Sequence, residues 1–219
     1  MPLRPLRGLV ILHADADCLV IDKPTGLAVH PGPATADSLE TRLEAAGVPF
    51  RPVHRLDRDT SGCLLLAKRP AALRRLMRAF AAGQVEKTYL ALVTPAPRSD
   101  AGVVDMPLAK ISSRTRGWRM VADAAGRPAL TRWQVLARHR EVALLRFLPA
   151  TGRTHQLRVH ACLLAEGAAI VGDPVYGRGE PGGLMLHAWQ LGFPDAAGRT
   201  VTAVAPLPAR FRALGFDPG

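Results

Sequence analysis

VHRLDRDTSG, residues 53 to 62, packs four charged side chains, a histidine and two hydroxyls into ten positions, and the apolar run CLLLA follows it directly. A short apolar run after turn residues reads as a buried strand. The charges therefore stand at the mouth of a core strand. Asp59, Thr60, Ser61 and Gly62 are natural turn formers. Asp57 sits between Arg55 and Arg58. An opposite charge favours a carboxylate over the acid, and a carboxylate suits nucleophilic or basic work. Local composition admits two readings: a salt-bridged turn, or a reactive group.

Outward from this stretch, strand patterns dominate. VILHA and CLVI flank a turn at Asp15–Asp17, and KPTG carries a type II turn signal. SLETRLEAAG (38–47) reads as a short helix capped by Asp37 or Ser38 and stopped by Gly47. PAALRRLMRAFAA (70–82) is the clearest helix, with Leu73, Leu76, Met77 and Phe80 inward and Arg74, Arg75 and Arg78 outward. KTYLALV (87–93), RWQVLAR (132–138) and ALLRFL (143–148) read as strands, and HQLRVHACLLAEG (155–167) as a helix. Further strands are expected around 184–193 and 200–205. The helices do not alternate with strands in βαβ order. The expected class is α+β with a mixed, mainly antiparallel sheet and flanking helices. The Pro/Gly-rich stretches at 31–33 and 177–183 read as loops inside one domain spanning 1–219.

The chain has 219 residues and a net charge of +11, with only four Lys among 29 basic residues. Such a balance fits a polyanionic partner, and Arg forks onto phosphate. An Arg-rich composition also fits genome base composition. Aromatics make up 5%, which argues against a single-strand-binding stacking platform. Three widely spaced cysteines without a CxxC argue against a disulfide framework or zinc knuckle, and place the chain in the cytoplasm. No apolar run approaches the ~20 residues that span a bilayer, and no secretory signal is evident.

Other chemistries find little support. His155 and His160 are five apart, about 140° round a helix, so they share no metal-binding face. Asp15 and Asp17 read as turn residues. G-x-S-x-G, GxxxxGK[ST] and GxGxxG are absent. Asp57-Arg-Asp59 is similar to the D-x-D-x-T of phosphoaspartate hydrolases, but Ser61 holds the fifth position and no buried apolar strand precedes it.

HRLDRDTSG (54–62) closely resembles the H-R-L-D-x-x-T-S-G motif of the RluA family of RNA pseudouridine synthases. LVIDKPTGLAVHPG (19–32), KTYLALV (87–93), TGRTHQLRVH (151–160), GDPVYG (172–177) and LMLHAWQLGFP (184–194) resemble further segments of that family, in order. The resemblance covers about residues 9 to 208. It implies the pseudouridine synthase fold with a central cleft, here a catalytic domain without the S4 RNA-binding module that many relatives carry.

The implied reaction breaks the N-glycosidic bond of a uridine in RNA, turns the base and forms a carbon–carbon bond. It calls for no metal and no organic cofactor. By resemblance, Asp57 is the essential carboxylate, Arg158 its partner, and Tyr89 packs on the target base and is a candidate for taking the C5 proton. A phenol is a weak base near neutral pH and needs help from its site. Arg55 matches the residue that fills the gap left by the flipped base, and Arg153 and Lys87 are candidate RNA contacts. His54 reads as structural. The expected partner is RNA, ribosomal or transfer, with no membrane and no obligatory protein partner, and the chain acts as a monomer. The rival readings are a catalytically silent basic RNA-binding protein on this fold and a phosphoaspartate-type hydrolase.

Overall fold

The computed structural model describes residues 8–32, 35–113 and 117–216. The basic start of the chain and part of the loop at 31–37 lie outside the described residues. In chain order the elements are β1 (Val10–Ala14), β2 (Cys18–Lys23), α1 (Leu39–Ala45), β3 (Arg51–Pro52), β4 (Ser61–Ala67), α2 (Pro70–Ala81) and β5 (Glu86–Thr94). There follow β6 (Ala101–Asp105), β7 (Leu108–Ser113), β8 (Gly117–Ala122), β9 (Leu130–His139), β10 (Val142–Pro149) and α3 (Gln156–Ala161). The chain continues through β11 (Ala169–Ile170), β12 (Leu186–Pro194), β13 (Thr200–Val204) and α4 (Ala209–Arg212). The fold is α+β, and its strand pairs with a defined register are antiparallel.

The chain divides into two compact units: Met1–Lys87 with Ala188–Pro206, and Thr88–His187 with Leu207–Gly219. In the first unit the strands run β1-β2-β4-β12, with β13 on β12 and β3 beside β4. Every residue of β4 is buried, as the continuous apolar run requires. Helix α2 covers this sheet through Ala72, Leu76 and Ala79, with Leu73 and Phe80 partly buried around Cys18, Leu65 and Phe193. Met77, expected to face inward, is 52% exposed. The buried stripe centres near Leu76 on the Ala72–Ala79 side, and Met77 lies about 100° round the helix from it. Ser38 caps α1 in a reciprocal box with Thr41, and Gly47 follows at φ +67°.

In the second unit the order is β5-β10-β9-β6, with β11 on β5 and a separate β7-β8 hairpin. Leu90, Leu92, Leu145 and Phe147 are fully buried in its sheet. Helix α3 is shorter than expected. After Ala161 the amides of Cys162, Leu163 and Leu164 reach back only three residues, in successive tight turns. The segments at 101–122 were not anticipated as strands. Cys18, Cys63 and Cys162 are free thiols, and among the described residues no helix is long and apolar enough to cross a membrane.

Candidate active site

The loop before β4 is fixed from several sides. The Val53 amide donates to the Leu65 carbonyl at 2.9 Å, and the Leu65 amide donates to His54 Nε2 at 3.1 Å. Because Nε2 accepts, a neutral His54 carries its proton on Nδ1. Its ring stacks on Phe80 at a centroid distance of 4.8 Å. Burial pushes the His54 imidazole down to about 4, and the Lys87 charge adds to this. His54 is therefore a structural strut of the motif, as expected. The Thr60 amide closes the turn on the Asp57 carbonyl at 3.1 Å.

Lys23 is the main clamp on this loop. It is fully buried, and its Nζ donates to the carbonyls of Pro24 (2.8 Å), Leu27 (2.8 Å) and Arg58 (3.0 Å). Thr25 Oγ1 donates to the Asp59 carbonyl at 2.9 Å. Thus the KPTG turn holds the 57–60 backbone from below. Arg58 pairs with its neighbour Asp59 at 3.1 Å. Asp57 is half-buried and Arg55 is exposed. Gly62 has φ +109°, and a Cβ there would lie 2.2 Å from the Ala188 carbonyl oxygen on β12. The motif's last residue is glycine because β12 passes directly over it.

The second group of candidates lies around α3. Arg158 is buried, and its Nε and Nη2 each donate to Asp173 at 2.7 Å. This is a bidentate fork. Asp173 also accepts the amides of Val175 (2.8 Å) and Tyr176 (3.0 Å). Burial would raise the Asp173 carboxyl, but Arg158 and these amides together hold it below the usual carboxylate range. The Tyr176 ring lies 5.1 Å from the Arg158 guanidinium carbon, and its hydroxyl accepts the Met120 amide at 2.9 Å. Gln156 and His160 pin α3: Gln156 Nε2 donates to the Leu130 carbonyl and Thr131 Oγ1, and His160 bonds Thr131 Oγ1 and the Met106 carbonyl. A guanidinium held by a fork, an aromatic face and a pinned helix is preorganised for charge stabilisation.

Of the residues expected in the site, Arg55, Asp57 and Lys87 belong to the first unit, and Tyr89, Arg153 and Arg158 to the second. Lys87 is half-buried, and burial pushes its amine down. Tyr89 is half-buried on β5, in register with Phe147 of β10. Arg153 Nε donates to the Pro128 carbonyl at 2.9 Å, which ties it to the backbone. Sequence reasoning assigned no role to Lys23, Asp173 or Tyr176, although all three stand in the quoted segments KPTG and GDPVYG.

His13, Asp15 and Cys18 gather their donor atoms within 4.8 Å of one another. Asp15 Oδ1 accepts the amides of Asp17 and Cys18 at 2.7 Å, and Oδ2 meets His13 Nε2 and Cys18 Sγ. These bonds account for the cluster as the turn network expected there.

Residues 17–162 match the model of the RNA pseudouridylate synthase family. An RNA pseudouridine synthase of Zymomonas mobilis is 46% identical over 97% of this chain and all of that protein. The dual-specificity RNA pseudouridine synthase RluA of Yersinia pestis is 37% identical over 84% of this chain and 91% of that one. The ribosomal large subunit pseudouridine synthase D of Nitrosomonas europaea is 38% identical over 94% of this chain and 64% of its own length. The structure of human RNA pseudouridylate synthase domain containing 1 superposes with a TM-score of 0.79 at 29% identity, covering 94% of this chain and 88% of that one. The chain belongs to the RNA pseudouridylate synthase family, as an isomerase of the RluA type.

Proposed function

We propose that this enzyme isomerises uridines in structured ribosomal RNA of the large subunit, in transfer RNA, or in both, with Asp57 as its essential carboxylate. The relatives named for the large ribosomal subunit and for dual specificity support this substrate range. The observation that carries the role of Asp57 is the clamping of its loop by Lys23 and Thr25. Such support gives a reacting group a fixed position.

In this proposal the target nucleotide is extruded, at a cost of a few kcal/mol, and Arg55 fills the vacated space. Asp57 acts as nucleophile or proton acceptor while the glycosidic C1′–N1 bond breaks. The base turns, C1′ bonds to C5 as Asp57 is released from its bond or gives back its proton, the C5 proton leaves with the help of Tyr89, and N1 gains a proton. Atoms and charge balance without a cofactor. Arg158 serves as the cationic partner of Asp57, and Asp173 fixes its guanidinium through Nε and Nη2. Lys87 and Arg153 contact the RNA backbone. The enzyme works as a single catalytic domain, a monomer in the cytoplasm.

The test is tritium release from RNA labelled at uridine C5. Asp57→Asn is expected to lower turnover by at least about 10³-fold, the scale of a lost catalytic group, with RNA affinity within about twofold of wild type. Full turnover in Asp57→Asn sinks the assignment. Mapping pseudouridines in ribosomal and transfer RNA from a deletion strain identifies the target.

A further inference from the structure

The β7-β8 hairpin stands apart from the main sheets and carries an unusual surface. Trp118 is 48% exposed and Ile111 is 41% exposed. Beneath the hairpin, Leu108, Met120, Ala129 and Val159 form a small core, with Tyr176 packed against it. In the β8 register Trp118 shares the face of Met120. Met120 anchors that face, and Trp118 extends it beyond the core. The indole rests on His155 with a centroid distance of 5.2 Å and an interplanar angle of 30°. His155 is held at φ +53°, and its Nδ1 lies 2.9 Å from the Tyr176 hydroxyl. A non-glycine residue in this left-handed region costs energy and persists where its surroundings enforce it. Lys110 Nζ lies 5.0 Å from the Trp118 ring centroid. The sequence from 108 to 122 holds Lys110, Arg114, Arg116 and Arg119 and no acidic residue.

We propose that Trp118, backed by His155, is a stacking seat for a base of single-stranded RNA, with Lys110 serving the adjoining phosphate. An exposed aromatic supported from beneath, with Lys110 over its ring and no acidic residue between 108 and 122, fits a nucleobase with its backbone. The seat rests on reading the chain as an RNA-modifying enzyme. It goes beyond that reading by assigning an RNA contact outside the residues that act on the target uridine. The same Tyr176 touches His155 and Arg158, so the seat and the Arg158 clamp share one support.

Intrinsic fluorescence tests it, since the chain has three tryptophans, Trp118, Trp133 and Trp189. Oligouridylate and total ribosomal RNA are titrated against wild type, Trp118→Phe and Trp118→Leu at fixed salt. Quenching is expected in wild type and lost in both variants. Trp118→Phe keeps affinity within about fivefold. Trp118→Leu, which retains apolar packing on His155, weakens binding ~5- to 100-fold, the range of one base–aromatic stack. Its KM for labelled RNA rises by the same factor, kcat stays within about twofold, and its melting temperature matches that of Trp118→Phe. Unchanged affinity in Trp118→Leu overturns the seat. A wild-type protein that binds RNA with quenching but converts no uridine leaves the seat standing and overturns the enzymatic reading.

Discussion

His54 makes a pH prediction possible. Its imidazole ordinarily titrates at 6.5 and is pushed down to about 4 in the folded protein, chiefly by burial. The folded state therefore refuses a proton that the unfolded state accepts. Stability is unaffected above about 6.5 and falls as pH drops from 6.5 towards 4, by about 3 kcal/mol in total. His160 is lowered for the same reason and acts in the same direction. Urea midpoints measured across this range should decline with acid, and His54→Asn should flatten part of the slope. A level profile in wild type contradicts the burial argument. The same motif illustrates what a sequence discloses. HRLDRDTSG singles out Asp57 through its resemblance to a family motif, whereas its crowded charges alone leave a salt-bridged turn open. The bonds that fix the motif loop and the Arg158 guanidinium are not local. Lys23 reaches Arg58 across 35 positions, and Asp173 reaches Arg158 across 15. No spacing rule links such pairs, and a buried Lys looks in sequence like any surface Lys.

Elements with one buried face were legible. Helix α2, the strand β4 and the strands β5, β9 and β10 follow from period and apolar runs. Met77 was misplaced because four apolar residues define a stripe whose centre two buried alanines, Ala72 and Ala79, actually set. The β7-β8 hairpin escaped because only Leu108 and Met120 among its described strand residues are buried. One buried residue per strand sets no alternation that can be read. Strand β4 carries a prediction of its own. Gly62→Ala introduces a Cβ against the Ala188 backbone at a positive φ. It should destabilise the protein by ~2–4 kcal/mol, since backbone cannot yield as a flexible side chain does. Thermal unfolding checks this, and a variant melting within a degree or so of wild type refutes it. Gly47, also at positive φ but with open space around the added Cβ, is the milder comparison.

At the scale of the whole molecule, the net charge of +11 acquires meaning only with an RNA-acting family attached. RNA affinity should fall steeply with salt, with a double-logarithmic slope of about −3.5 if some five phosphates of a single strand are contacted. A slope near zero in a filter-binding titration would show that the arginines serve solubility instead. The α+β class was legible from the lack of alternating helices and strands. The division into two interleaved units was not, because it depends on which distant strands pair. The first unit draws Ala188–Pro206 back to Met1–Lys87, and Leu191, Phe193, Ala203 and Ala205 complete the core around Cys63 and Leu76. This connectivity dictates an order of assembly during translation. When residue 87 leaves the ribosome, β4 and α2 still lack the strands that cover them, and about a hundred further residues must be made first. The segment carrying Asp57 is thus among the earliest synthesised and among the last to reach its finished surroundings, so a chain truncated before β12 cannot hold the 53–62 loop in shape.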